Sequence, residues 1–211
     1  MEKKIFICFD LNGTLITNDT WRDLNFALGV LPSEDQDILR LWARGKCSYE
    51  VCQKKLEHIY KKRGRATLAN ITQILSSYTY APHAKETISY LSQKGYAIGL
   101  ITNSIDMLVA HVAGDLNIKY FAANNSFIFD ANNDIAEIKV TDNDVQFKHG
   151  QVEKWCKELS VDMRDCIYVG DANDDRQLFL ATGHGITFKG SPLEPVAWKT
   201  IDTLADIMSI L

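Results

Sequence analysis

Apolar positions along the chain follow two rhythms. Short, nearly unbroken apolar runs at Ile5-Phe6-Ile7-Cys8, Tyr96-Ala97-Ile98-Gly99-Leu100-Ile101, Asp165-Cys166-Ile167-Tyr168-Val169 and Gly185 to Phe188 predict strands buried on both faces. Spacings of three and four predict helices between them: Pro82 to Gly95 with Ile88 and Leu91 inward, Ile105 to Leu116, Gly150 to Leu159, Asp174 to Ala181, and a last helix from about Thr203. Ile118 to Ala122 adds a strand, and Phe127 to Val140 reads as a hairpin turning at Asp130-Ala131-Asn132-Asn133.

One segment breaks this alternation. After the polar turn Thr17-Asn18-Asp19-Thr20, a helical pattern runs through Trp21, Leu24 and Leu28 to the Gly29 to Pro32 break. Pro32-Ser33-Glu34-Asp35 opens a second helix with Ile38, Leu39, Leu41 and Trp42 inward, stopped by Gly45. A third runs from Ser48-Tyr49-Glu50 through Val51, Leu56 and Ile59 to Gly64, and a fourth from Ala66 to Ser77. Strands alternating with helices imply right-handed βαβ units. The expected class is therefore α/β: a Rossmann-like parallel sheet with helices on both faces, built from residues 1–16 and 81–211, with residues 17–80 inserted as an all-helical cap over the carboxyl edge of the sheet.

Composition narrows the function classes. A chain of 211 residues with 46% hydrophobic and 24% charged residues can bury a large core. A net charge of −4 gives no global reason to bind nucleic acid or an anionic membrane. No segment is long and apolar enough to span a bilayer, and the run after Met1-Glu2-Lys3-Lys4 is too short for a signal peptide. Cys8, Cys47, Cys52, Cys156 and Cys166 show neither metal-ligand nor CxxC spacing, and read as reduced thiols of a cytoplasmic protein, monomer or homodimer.

Candidate chemistry lies where the buried runs end. Asp10 closes the first run and is followed by Asn12-Gly13-Thr14; Thr102-Asn103-Ser104 follow the second; Lys148 stands at a helix entrance; and Gly170-Asp171-Ala172-Asn173-Asp174-Asp175 follow the strand ending at Val169. In a parallel sheet these four places converge on one crevice. The residue types suit phosphoryl transfer: Asp10 as nucleophile, Asp10 with Asp171 and Asp175 as hard oxygen ligands for Mg²⁺, Thr102 and Lys148 on the phosphate oxygens, and Gly13 admitting backbone N–H groups. Taken singly, Thr102 reads as a helix cap, Lys148 as a solvated charge, Asp171 to Asp175 as helix-start acids and Asp10 as a turn cap. Only their joint order is specific.

With its motifs in that order, the chain resembles the haloacid dehalogenase superfamily, and within it the phosphoserine-phosphatase-like branch. The motifs cover little of the chain, but element order and the helical insert match across nearly all of it. The resemblance implies Mg²⁺-dependent hydrolysis of a small phosphorylated metabolite through an aspartyl-phosphate on Asp10, with the metal held by Asp10, Asp171 and the main-chain carbonyl of Asn12, and Asp175 as a further acid nearby. It also implies that the second acid of the first motif, which protonates the leaving alkoxide and activates water, is here Asn12. An amide does neither, a loss of about 10²–10⁴ in rate. Three readings follow: a natural Asn with slow turnover or a long-lived phosphoenzyme, an engineered Asp to Asn change, or a chain that only binds. A phosphotransferase using the same intermediate is the enzymatic alternative, and a phosphometabolite-binding or regulatory protein the non-catalytic one.

Specificity is expected on the cap. Asp19 occupies the place where the resembled phosphatases carry an acid for a substrate ammonium, and it is equally suited to start a helix. Asn103 is placed to line the pocket beside Thr102, whereas Ser104 reads as a cap. Lys54, Lys55, Lys61, Lys62, Arg63 and Arg65 form a basic run that reads first as a solvated face and second as a reader of a carboxylate or second phosphate.

Overall fold

The computed structural model describes residues 5–141 and 143–211, apart from the side chain of Asp144; the Met1 to Lys4 stretch lies outside the described residues. Seven strands form one sheet: β1 (Phe6–Asp10), β2 (Ala97–Ile105), β3 (Tyr120–Phe129), β4 (Ile135–Val140), β5 (Cys166–Val169), β6 (Gly185–Phe188) and β7 (Lys199–Ile201), in the spatial order β4-β3-β2-β1-β5-β6-β7. All neighbours run parallel except β3 and β4, whose hairpin link permits an antiparallel edge. Every residue of central β1 is buried. Its side chains alternate between two apolar clusters. Ile7 and Phe9 join one; Phe6 and Cys8 join the other, with Val152, Trp155 and Phe179. These clusters put helices on both faces, as the sequence pattern expects.

Register sets the functional edge. Phe9 is level with Leu100 of β2 and Val169 of β5, and Asp10 with Ile101. The residues that follow these positions, Thr102 and Gly170-Asp171, therefore leave the sheet beside Asp10.

Helices α1 (Thr20–Ala27), α2 (Pro32–Ala43), α3 (Tyr49–Arg63) and α4 (Leu68–Leu75) lie between β1 and α5 (Ala84–Gln93); α6 (Asp106–Asp115), α7 (Asp144–Leu159), α8 (Arg176–Thr182) and α9 (Ile207–Ile210) complete the chain. Ser48 and Thr67 cap α3 and α4, and Gly64 ends α3 at φ 64°. Leu24, Leu28, Leu56, Tyr60 and Ile71 bury their side chains in the same cluster as the sheet residues.

Several sequence expectations need revision. Strand β2 continues through Thr102-Asn103-Ser104 to Ile105, with a register shift after Thr102. The expected Ile118 strand and the first hairpin arm are one ten-residue strand, β3. Helix α7 starts at Asp144, so Lys148 lies in its second turn, and β7 carried no recognisable run. On α2 only Ile38 of the expected inward residues is fully buried; Leu39 is 52% and Trp42 45% exposed, because α2 packs on one side only. Cys47 and Cys52 are paired as a disulfide across the α2–α3 turn, contrary to the expectation of five thiols, while Cys8, Cys156 and Cys166 are free and buried.

Glu57 ties α3 to the edge strand. Its carboxylate accepts from the Ile138 backbone N–H (2.9 Å), Lys54 Nζ (2.9 Å) and Lys61 Nζ (2.7 Å). Partial burial pushes its pKa up, but Lys61, the Ile138 N–H and Lys54 outweigh that and bring it from 4.5 down to about 2. A depressed carboxylate pKa stabilises the fold above the unfolded value and is lost as pH falls through the folded one. We expect Glu57→Ala to cost about 1–2 kcal/mol at pH 7 by chemical denaturation, with the deficit narrowing, as the ion pairs are lost, when pH falls from about 4.5 towards 2, and the part due to the orphaned backbone N–H remaining.

Candidate active site

Lys148 is the hub of the site. Its ammonium is 2% exposed and lies 2.8 Å from Asp10 Oδ1, 2.7 Å from Asp175 Oδ1 and 2.8 Å from Asp174 Oδ2. The sequence singled out Asp10, Lys148 and Asp175; Asp174 as a third carboxylate on the ammonium was missed, because adjacent acids at a helix start do not show which one turns inward. Asp175 is fixed further by the Tyr168 hydroxyl (2.7 Å) and the Asp171 N–H (3.2 Å). Tyr168 looked like one more apolar strand residue; its hydroxyl role has no sequence signal.

Asp171 is oriented by the Thr14 hydroxyl, which donates to its Oδ1 at 2.9 Å. Gly13 has φ +81°, and a Cβ there would collide with the Asp171 carboxylate. Glycine is thus required twice, for its backbone angle and for this approach. Asp10, Asp171 and Asp175 each offer an oxygen within 4.8 Å of the others. The residues fit a divalent cation: hard oxygen donors, with carboxylates in excess over the one ammonium.

That excess governs the electrostatics. Burial pushes Asp10 well above the usual carboxylate range; Lys148 opposes this, while Asp175, Asp174 and Asp171 reinforce it. Asp171 is pushed up to about 6, first by burial, with Thr14 pulling the other way. Burial disfavours charge on Lys148 too, yet Asp10, Asp175 and Asp174 hold its pKa well above the ordinary value.

Asn12 sits at the junction with the helical segment. Its amide Nδ2 donates to the Asn18 carbonyl (3.1 Å) and to the Thr20 hydroxyl, and its Oδ1 accepts from Thr102 Oγ1 at 3.3 Å. Thr102 also accepts from the Ser104 N–H (3.0 Å). Asn103 donates to Asp174 Oδ2 at 2.7 Å, which places it beside the carboxylates around Lys148. Asp19 is exposed and caps α1 by accepting from the Arg22 N–H at 3.2 Å. Of the basic run, Lys54 and Lys61 pair with Glu57, and Arg63 with Glu34, all on the outer surface.

Comparison with known proteins agrees with this geometry. The family profile for haloacid dehalogenase-like hydrolases matches residues 7–180. Phosphoserine phosphatase of Methanocaldococcus jannaschii is 25% identical over 194 residues, covering 91% of this chain and 89% of that protein. The Streptococcus thermophilus phosphoserine phosphatase is 24% identical over 98% of each chain. Among solved structures, a phospho-aspartyl intermediate analogue of phosphoserine phosphatase superposes with a TM-score of 0.80 at 24% identity, covering 100% of both chains. An apo phosphoserine phosphatase gives 0.82 at 23%, covering 99% of this chain and 100% of the other. With a profile match spanning all the clustered carboxylates and Lys148, the chain belongs to the haloacid dehalogenase-like hydrolases, in their phosphoserine-phosphatase-like branch.

Proposed function

We propose that this hydrolase acts on a small phosphomonoester, with Asp10 as the nucleophile. The observation that supports it most is the contact of Lys148 with Asp10 at 2.8 Å at the edge where β1, β2 and β5 end. An Asp10 carboxylate oxygen bonds to phosphorus as the ester P–O bond breaks, giving an aspartyl-phosphate and an alkoxide that takes a proton. Water then adds to phosphorus and the acyl-phosphate P–O bond breaks, regenerating Asp10. Lys148 keeps Asp10 anionic and, with the Thr102 hydroxyl and the N–H groups around Gly13, holds phosphate oxygens. Asp10, Asp171 and Asp175, with the Asn12 carbonyl, would hold Mg²⁺, which supplies neutralisation of phosphoryl charge when bound. Residues 17–80 act as the cap that covers the reacting group, with Asp19 near its hinge.

Asn12 favours a second reading. Both its amide hydrogens are committed to Asn18 and Thr20, and it carries no proton to give or base to activate water. Hydrolysis of the aspartyl-phosphate is then the slow step, and an acceptor alcohol can compete with water, which is phosphotransfer. An intact-mass measurement after mixing with Mg²⁺ and an aryl phosphate separates these readings from mere binding. We expect a phosphoryl adduct that is absent in Asp10→Ala; no adduct and no phosphate release from the parent chain or from Asn12→Asp would leave binding as its role.

A further inference from the structure

Among the described residues, six buried side-chain polar atoms have no hydrogen-bond partner: Trp21 Nε1, Gln53 Oε1, Asn103 Oδ1, Ser104 Oγ, Asn125 Oδ1 and Thr187 Oγ1. Such atoms are rare in folded proteins, since each carries an uncompensated loss of hydration. Thr187 stands apart on β6. The other five belong to α1, α3, β2 and β3, elements that hydrogen bonds and a ring contact link to one another.

Side-chain contacts link these elements. The Tyr49 hydroxyl of α3 donates to the Asn103 carbonyl (3.3 Å) and accepts from Asn125 Nδ2 (2.9 Å), and Asn125 also donates to the Asn103 and Ser104 carbonyls at 2.7 and 3.1 Å. Gln53 is one helical turn on from Tyr49, and Glu57 one turn further, bonded to Ile138. Ile138 is level with Phe127, two residues beyond Asn125 on the same face of β3, and Trp21 packs on the Phe127 ring at 6.1 Å. Gln53 is therefore bracketed between Asn125 and Phe127. Asn125, Ser104 and Gln53 are 0%, 3% and 4% exposed. The junction adjoins the phosphoryl site directly, since the Ser104 N–H donates to Thr102 and Asn103 to Asp174.

We infer that these five atoms form the subsite for the alcohol portion of the substrate, and that this alcohol is polyhydroxylated, a polyol or monosaccharide. The inference rests on the reading that the phosphoester is cleaved at Asp10. Three of the atoms are amide oxygens that only accept, one is an indole N–H that only donates, and the serine hydroxyl does both. Several hydroxyl groups on one ligand satisfy all of them. A carboxylate would face the three amide oxygens, while Lys148, Lys54, Lys61 and Arg63 are already paired with carboxylates of the chain itself. Ligand access requires α3 to lift from the ends of β2 and β3, breaking the Tyr49 contacts that now close the junction.

Gln53→Met and Ser104→Ala test this, because each removes an unpartnered polar atom at little change of shape. The parent chain and both variants are compared in Mg²⁺ on a hexitol phosphate, an amino-alcohol phosphate, a phosphorylated hydroxy acid and an aryl phosphate, alongside thermal melting. We expect the parent to favour the hexitol phosphate over the hydroxy-acid and amino-alcohol esters by about tenfold or more in kcat/KM. Each variant should lower the ratio of hexitol phosphate to aryl phosphate by about tenfold while its Tm holds or rises. An unchanged ratio with a raised Tm, or a preference for the hydroxy-acid or amino-alcohol ester, overturns the subsite. If neither the parent chain nor Asn12→Asp cleaves a phosphate or forms an adduct, the Asp10 reading fails by itself. The subsite is then judged by binding: a Tm shift with hexitol phosphate that is lost in Gln53→Met upholds it, and no shift in the parent overturns it.

Discussion

Placing a carboxylate at position 12 should accelerate Mg²⁺-dependent phosphate release by about 10²–10⁴-fold, the usual contribution of a positioned general acid or base. Asn12→Asp places that group beside Thr102, whose hydroxyl already contacts the side chain at 3.3 Å. The gain should come with a loss of stability. The Asn18 carbonyl now receives the Asn12 amide at 3.1 Å, and a carbonyl has only lone pairs to offer. An aspartate in its place removes that donor and sets a carboxylate against the carbonyl, whereas the Thr20 hydroxyl can turn to donate. A cost of about 1–3 kcal/mol is expected. Steady-state phosphate release and urea denaturation of the two proteins measure both effects. Unchanged turnover in a folded Asp variant would show that proton transfer at this position is not what limits the chain. The same hydrogen bonds indicate that an amide is matched to its surroundings here, for a carboxylate would leave the Asn18 carbonyl without this donor.

Lys148→Met should both unfold more easily and lose phosphoryl transfer. The ammonium stands within 2.8 Å of three carboxylates, and Asp10 and Asp175 are almost completely buried. Removing one partner of a buried ion pair typically costs about 3–5 kcal/mol, because the remaining charge has neither water nor a counter-ion. Without Lys148 the carboxylates take up protons on folding. The native state then binds more protons than the unfolded one, so the stability deficit narrows as pH falls from 7 towards 5. Chemical denaturation in metal-free buffer across that range tests the sign. A deficit below about 1 kcal/mol, the scale of a surface pair, would mean that the lysine is not the hub it looks to be. Adduct formation should be lost in the same variant, since neutral Asp10 is no nucleophile.

Much of the architecture was legible because strand burial and helix spacing are local signals. Ile5 to Cys8 ending at Asp10 located the central strand, and the break in alternation after Ile16 marked the helical segment. What escaped was set by neighbours distant in sequence. Thr102 and Asn103 look like a loop, yet pairing with β3 keeps them in β2. Leu39 and Trp42 have the spacing of a buried face, but that side of α2 is only partly covered, with Trp42 resting edge-on against Tyr49 at 6.3 Å. Cys47 and Cys52 show no motif spacing, and the α2–α3 turn pairs them.

The sequence by itself determined the class of fold, the order of its elements and the residues that meet at the strand ends, because a parallel sheet forces the ends of consecutive buried runs onto one edge. Tertiary structure alone decided how those residues are shared. Lys148 bridges Asp10, Asp174 and Asp175, Thr14 orients Asp171, and Asn12 spends its amide on Asn18 and Thr20. It also left Gln53, Ser104 and Asn125 buried around atoms with no partner. Hydrogen bonds and ion pairs are fixed to within tenths of an ångström by the packing of elements far apart in the chain, and periodicity carries no record of them.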